Sequence, residues 1–231
     1  WVNQWSVMCK MPSDLGFSDE KYNLPELVTN KHVVKNNSTI DVDGQVQLFN
    51  VIAKSFHEVR HEQKQTVKER CEKAHSLADG KTSVYWVNLN AESGLLKDMD
   101  KDAVEIIGSQ TIDRKEDILM NFAQGNIKRL ITKAKMTGMG LNWQHCNHST
   151  FFPTYSYEQY YQAIRRFWRF GQKRDVTIDM VISDGQTRVI QALEQKTQKA
   201  IELHKQLTKN VNRSFEHKIK EFNKDIITPK F

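Results

Sequence analysis

The chain is poor in the residues that staple or sharply bend a small domain: its 231 residues hold three cysteines, four prolines and ten glycines. Cys9, Cys71 and Cys146 form an odd set without CxxC spacing, so neither a disulfide framework nor a zinc ribbon is readable, and a reducing, intracellular setting is expected. Metal-ligating atoms occur in His145-Cys146-Asn147-His148 and in the pair Cys71 and His75, but at no usual zinc spacing. Buried or surface roles account for them, and no metal site is expected. No apolar run approaches the ~20 residues of a membrane span, and the first residues lack the basic-then-apolar layout of a signal peptide. A large excess of one charge is missing too. The 34 basic and 28 acidic side chains leave a formal +6, a mild bias toward polyanions such as nucleic acid that many soluble proteins share.

What is present is enough apolar content, 39%, to bury a proper core in one domain with appendages or in two small ones. Residues 1 to about 40 are turn-rich and read as the tail of something that begins earlier. From Gln45 to Leu77 there is neither Gly nor Pro, and apolar residues recur near helical spacing, which predicts one long helix. Beyond Val84, short apolar runs ("VYWV", "VEII", "RLIT", "STFF", "VTIDMVIS") alternate with helical ones. That rhythm predicts an α/β fold, a parallel sheet covered by helices on both faces, with functional residues beyond the carboxyl ends of the strands in "NLNAES", "GSQT", "TKAKMTGMGLN" and around the segment at 160–172. After Thr187 a Lys- and Gln-rich amphipathic helix follows, whose lysines read as a solvated face, with direct DNA contact as the minority reading.

Two short motifs fail on inspection. "DVDG" at Asp41 to Gly44 lacks the later carboxylates of a calcium loop and reads as a turn. "DGKTS" at Asp79 to Ser83 ends like a P-loop, yet His75 stands where the upstream glycine belongs. The helix comes before the motif and the strand after it, the reverse of a phosphate-cradling order, so a helix-to-strand turn is expected.

The segment "YYQAIRRFWRFGQ", Tyr160 to Gln172, carries three arginines among five aromatic rings. On a helical wheel Tyr160, Tyr161, Ala163, Ile164, Phe167 and Trp168 fall on one side and Gln162, Arg165, Arg166 and Arg169 on the other. The aromatics then form a buried stripe. Three guanidiniums on one narrow face suit either a presented anion, which their planar forks bind bidentately, or structural ion pairs with acidic neighbours.

Gln162, Arg166, Arg169, Gly171 and Gln172 resemble motif VI of superfamily 2 helicases, especially SWI/SNF-type translocases. "GMGLN" at Gly138 to Asn142 resembles the end of motif V, and "VYWVNLNAES" the motif IV region. Phage-encoded members of that family carry near counterparts of "PSDLGF", "GLNWQHC" and "SYEQYYQAIRRFWRFGQ". The resemblance implies the second of two RecA-like domains, at residues 41–195. Residues 1–40 are then the tail of a preceding RecA-like domain and a linker, and residues 196–231 a basic helical extension. It implies arginine fingers at Arg166 and Arg169, and nucleotide-side positions at Gln162, Gly138, Gly140 and Asn142. Where relatives have Ser-Thr-Arg at the start of motif V this chain has Lys133, Ala134 and Lys135, so Thr132, Lys133 or Lys135 is expected to meet the nucleic-acid backbone, with Arg165 making a salt bridge or a phosphate contact. ATP and magnesium belong mainly to the first domain, because no P-loop or acidic box occurs here. The chain alone is expected to be inactive. The partners implied are DNA, chiefly double-stranded, and the first RecA-like domain; the setting implied is a bacterial cytoplasm. The competing reading is a non-catalytic nucleic-acid-binding module that kept the fold.

Overall fold

The β-branched and aromatic runs form six strands, all parallel: β1 (Leu27–Val34), β2 (Ser83–Trp86), β3 (Ala103–Glu105), β4 (Arg129–Thr132), β5 (His148–Phe151) and β6 (Val176–Ser183), in the order β1-β6-β5-β2-β4-β3. This computed structural model describes residues 9, 11–20, 22–36, 56–136 and 141–222. The helices are α1 (Phe56–Gln65), α2 (Val67–Ala78), α3 (Asn90–Met99), α4 (Ile112–Ala123), α5 (Tyr157–Ile164) and α6 (Thr187–Phe222).

Alternation along the strands splits the core between the two faces of the sheet. Tyr85, Val87, Ile131, Phe152 and Val181 pack with Cys71, Ala74 and Ala78 of α2 and Leu96 of α3. Val84, Trp86, Leu130, Phe151, Ile178 and Ile182 pack on the other face with Ile118 and Phe122 of α4 and Ala163 and Ile164 of α5. Burial on both sides explains why β2, β4 and β5 are apolar without a wet face.

The long predicted helix is interrupted. Thr66 separates α1 from α2 and bonds through Oγ1 to Glu62 O at 2.8 Å, and the part of that reading before residue 56 lies outside the described residues, as does "DVDG". The first strand is a second difference. Leu27–Val34, which the sequence assigns to a preceding domain's tail, is the sheet's edge strand, paired with β6 over eight residues from Leu27↔Val176 to Val34↔Ser183. Two side-chain bonds fasten it, Asn30 Nδ2 and His32 Nε2 each 2.9 Å from Asp179 Oδ1. "DGKTS" is a helix-to-strand turn: Lys81 N–H donates to Ala78 O at 3.1 Å and Gly80 takes φ 70°, a left-handed conformation suited to glycine.

The chain divides into two units. Leu24–Leu193 contains the whole sheet; the second unit takes the residues before Leu24 and those from Glu194 onward. In the second unit a 3-10 turn at Pro12–Leu15 is closed by Asp14 Oδ2, which accepts from Met11 N–H at 2.9 Å, and by Asp19 Oδ1, which accepts from Ser13 N–H at 2.8 Å. Helix α6 runs through the expected border at residue 195 without a break. No described helix is long and apolar enough to cross a membrane.

Candidate functional site

Strand order reverses at β2: the chain goes to β3 and β4 on one side of it, then returns to β5 and β6 on the other. In open parallel sheets a ligand crevice opens beyond the carboxyl ends at such a point. A cavity of about 490 Å³ lies there, walled by Trp86 to Leu89 after β2, Lys133 to Lys135 after β4, and Phe151 to Ser156 leading into α5, with Arg60 and Gln63 of α1 along it. Its described lining contains three cations, Arg60, Lys133 and Lys135, and no carboxylate. Ser156 caps α5, its Oγ accepting from Gln159 N–H at 3.3 Å, so a helix N-terminus adds positive potential at the rim. The arrangement suits an anionic backbone.

Lys133 is half-buried and its Nζ donates to Asn90 Oδ1 at 2.6 Å, whereas Lys135 is exposed. Thr132 corrects the sequence reading. It is fully buried inside β4, where both faces of the sheet are covered, and a strand cannot reach its hydroxyl in this structure. "GSQT" also lies outside the lining; Gln110 ties Glu105 O and Ile107 N–H together and Thr111 caps α4. Arg60, Thr154 and Tyr155 line the cleft from segments in which motif reading singles out no residue.

The arginine segment departs from the helical wheel. Helix α5 ends at Ile164 and residues 165–167 turn, so the two predicted faces are not kept. Tyr161 is 42% exposed and Arg166 only 5%. The Arg166 guanidinium lies over the rings of Trp143 and Trp86, 5.3 and 5.9 Å from their centroids, and burial draws its pKa down to about 10. Arg165 makes no salt bridge among the described residues. It stacks over Tyr161 and Trp168 and donates to Trp168 O at 3.2 Å. Arg169 is half-exposed, Gln162 is exposed, and Asn142 is exposed with its amide toward Gln144 Oε1 at 3.4 Å. Gly138 and Gly140 lie outside the described residues.

Gln172, which no site reading singled out, holds this turn in place. Buried at 7% exposure, its Nε2 approaches the carbonyls of Gln144, Cys146 and Phe167 at 3.0, 3.2 and 3.3 Å. Its Oε1 accepts from Lys173 and Arg174 N–H at 3.0 and 3.1 Å. Trp143 N–H donates to Arg166 O at 2.9 Å, and Gln144 Nε2 bonds Phe170 O. The Gly171 φ of 94° lets the chain turn into that clamp.

A separate polar lattice spans the α2/α3 face. Ser83 Oγ lies 2.8 Å from His148 Nδ1, and His148 Nε2 lies 2.9 Å from Asp179 Oδ2. The order of types is that of a hydrolase triad, but Ser83 is fully buried, so it is a sheet fastener with no access for substrate. The cysteines are likewise internal. Cys71 donates to Glu92 O and Cys146 to Thr82 O and His148 O, and burial pushes both thiols up to about 12.

Residues 65–171 match the family model described as the helicase conserved C-terminal domain. No curated protein matches the chain. Among solved structures, the RNA-helicase Prp28 from Chaetomium thermophilum bound to ADP is 14% identical with a TM-score of 0.51, covering 76% of this chain and 37% of that one. S. cerevisiae Dbp5 bound to RNA and ADP BeF3 is 19% identical, covering 63% and 42%, with a TM-score of 0.47. The C-terminal part of the Fun30 ATPase domain is 19% identical, covering 64% and 48%, with a TM-score of 0.44. This chain therefore spans less than half the length of each of these three. Its sheet is RecA-like, and residues 65–171 are similar to helicase C-terminal domains.

Proposed function

We propose that this chain is the second motor domain of an ATP-dependent superfamily 2 helicase or double-stranded DNA translocase of the SWI/SNF kind. In this reading a first RecA-like domain holds ATP and magnesium. ATP supplies the phosphoryl group that is transferred to water. Arg169, and Arg166 once presented, donate to the charge developing on it; Gln162 and Asn142 border the nucleotide. Cationic donors fixed in advance are worth more than mobile ones because no reorganisation is needed during reaction.

The observation that carries the reading is the arginine turn itself: an Arg-x-x-Arg pair on a loop bolted down by Gln172, with Arg169 left half-exposed. Lys133, Lys135 and Arg60 fit the anionic backbone of the track, contacts that position a strand without reading its sequence. The burial of Arg166 favours the second reading, a nucleic-acid-binding module without catalysis, and one experiment separates the two. The chain is mixed with a separately produced P-loop domain of the same protein, and ATP turnover is measured with duplex DNA and with single-stranded RNA. Motor function predicts nucleic-acid-stimulated turnover, largest with duplex DNA, that Arg169→Ala lowers on the order of a thousandfold. Salt-sensitive binding with no turnover, or turnover indifferent to Arg169, assigns the module instead.

A further inference from the structure

Arg70 and Glu92 form an ion pair sealed off from solvent, Arg70 Nη1 donating to Glu92 Oε1 at 2.6 Å with both side chains buried. Burying two charges costs enough that apolar residues of similar volume hold a core together as well or better, so packing of α2 against α3 does not account for the pair. What apolar residues cannot do is hold backbone groups. Glu92 Oε2 accepts from the N–H groups of Asn88 and Leu89, both at 2.8 Å, in the loop that leaves β2. Arg70 directs its other donors to Thr66 Oγ1 at 3.1 Å and to Gln63 O of α1 at 2.5 Å, and its guanidinium lies 5.1 Å from the centroid of Phe152, just past β5. Gln63, Asn88, Leu89 and Phe152 all line the cleft. The last link is Asn90, which opens α3 directly after that loop, is exposed, and accepts from Lys133 Nζ at 2.6 Å.

We propose that Arg70 and Glu92 are positioning residues for the nucleic-acid backbone: the pair ties α1, the β2 loop and the β5 exit together, and through Asn90 it sets Lys133 where a phosphate meets it. The proposal rests on the reading of the cleft given above. Neither member of the pair touches the ligand. An ammonium has three donors, so one given to Asn90 leaves two for a phosphate. A tethered side chain also loses less freedom on contact than a loose one. Because the pair is neutral as a whole, removing both members leaves the net charge around the cleft unchanged, and a change of affinity then reports geometry.

The test is a double-mutant cycle on this 231-residue chain. Binding of a short fluorescent duplex DNA or oligouridine RNA is measured by anisotropy over a salt series, and folding is checked by urea titration. Arg70→Met combined with Glu92→Leu is expected to stay folded yet to bind about tenfold more weakly, with a salt slope lower by about one. Lys133→Ala is expected to weaken the parent chain by about as much and to add little to the apolar pair, because what the pair sets is already lost. Asn90→Ala, an exposed change, is expected to show the same non-additivity with Lys133→Ala. If the apolar pair does not fold, Glu92→Asp is read in its place with the same expectation, since it keeps the charge but is too short to reach Arg70 and the loop amides at once. Full affinity in the pair variant, or a Lys133→Ala loss of equal size in both backgrounds, overturns the positioning and leaves the cleft reading standing. If the parent chain binds neither nucleic acid, or Lys133→Ala costs it nothing, the cleft reading falls and the proposal with it.

Discussion

Arg129 and Arg166 belong to the same unit and are buried to a similar degree, 8% and 5% exposed, in surroundings of opposite kind. Arg129 forks onto Asp100, with Nη2 2.8 Å from Oδ1 and Nε bonded to Oδ2, and reaches Asp102 at 3.2 Å. Hydrogen bonding to Asp100 outweighs burial and raises its pKa. Arg166 lies on indole faces, and burial draws its pKa down to about 10. One charge is paired with carboxylates where it sits; the other packs its guanidinium against two indole rings. At similar depth, the surroundings of the two arginines, more than burial itself, set the direction in which each pKa moves.

The largest expected effect breaks the paired case. Asp100→Asn leaves Arg129 buried against a neutral amide and puts an NH2 donor in place of one of the two oxygens that accept from Arg129 and from Tyr85 Oη–H at 2.8 Å, and is expected to lower unfolding free energy by about 3–5 kcal/mol in urea titrations. An unchanged midpoint would show that the fork between Arg129 and Asp100 does not hold the sheet.

A smaller loss is expected from the clamp. Gln172→Leu strands several buried carbonyls and amides and should cost roughly 2–3 kcal/mol, with nucleic-acid-stimulated turnover falling even under conditions where the domain stays folded. Turnover that survives would show that the arginine turn does not need its fastening.

The smallest effect concerns acid. Burial alone would raise the Asp179 pKa, but hydrogen bonds from His148, His32 and Asn30 prevail and hold it well below the usual carboxylate range. Unfolded, this group titrates near ~3.9, so below that pH the unfolded chain binds the extra proton. Its contribution is complete above the unfolded value and is lost as pH falls through the folded one. Urea midpoints measured downward from pH ~5 should fall, and fall less steeply in Asp179→Asn. An unchanged slope would assign the acid sensitivity to other carboxylates.

The sheet was legible because β-branched runs alternate with helical periodicity; β6 is the quoted "VTIDMVIS" residue for residue. Loops after β2 and β4 were legible as well, since parallel topology dictates where a crevice opens. Edge strand β1 was not, because half of "LVTNKHVV" is polar and its pairing depends on Asp179, some 149 positions away along the chain. The arginine face failed for a different reason. A wheel assumes that the helix continues, and here it stops one residue before the first arginine, which sends Arg166 inward beside Trp86 and Trp143. Gln172 reads as a motif letter in sequence, and its clamp consists of backbone carbonyls that no pattern displays.

The central claim is that Arg169 reaches across to a nucleotide held by another domain. It is tested most directly by comparing, in the two-domain protein with nucleic acid bound, the affinity for ADP–aluminium fluoride with that for ATP before and after Arg169→Ala. The account predicts that ATP binding stays largely intact while the preference for the transition-state mimic falls by about a thousandfold. A preference that does not change contradicts it.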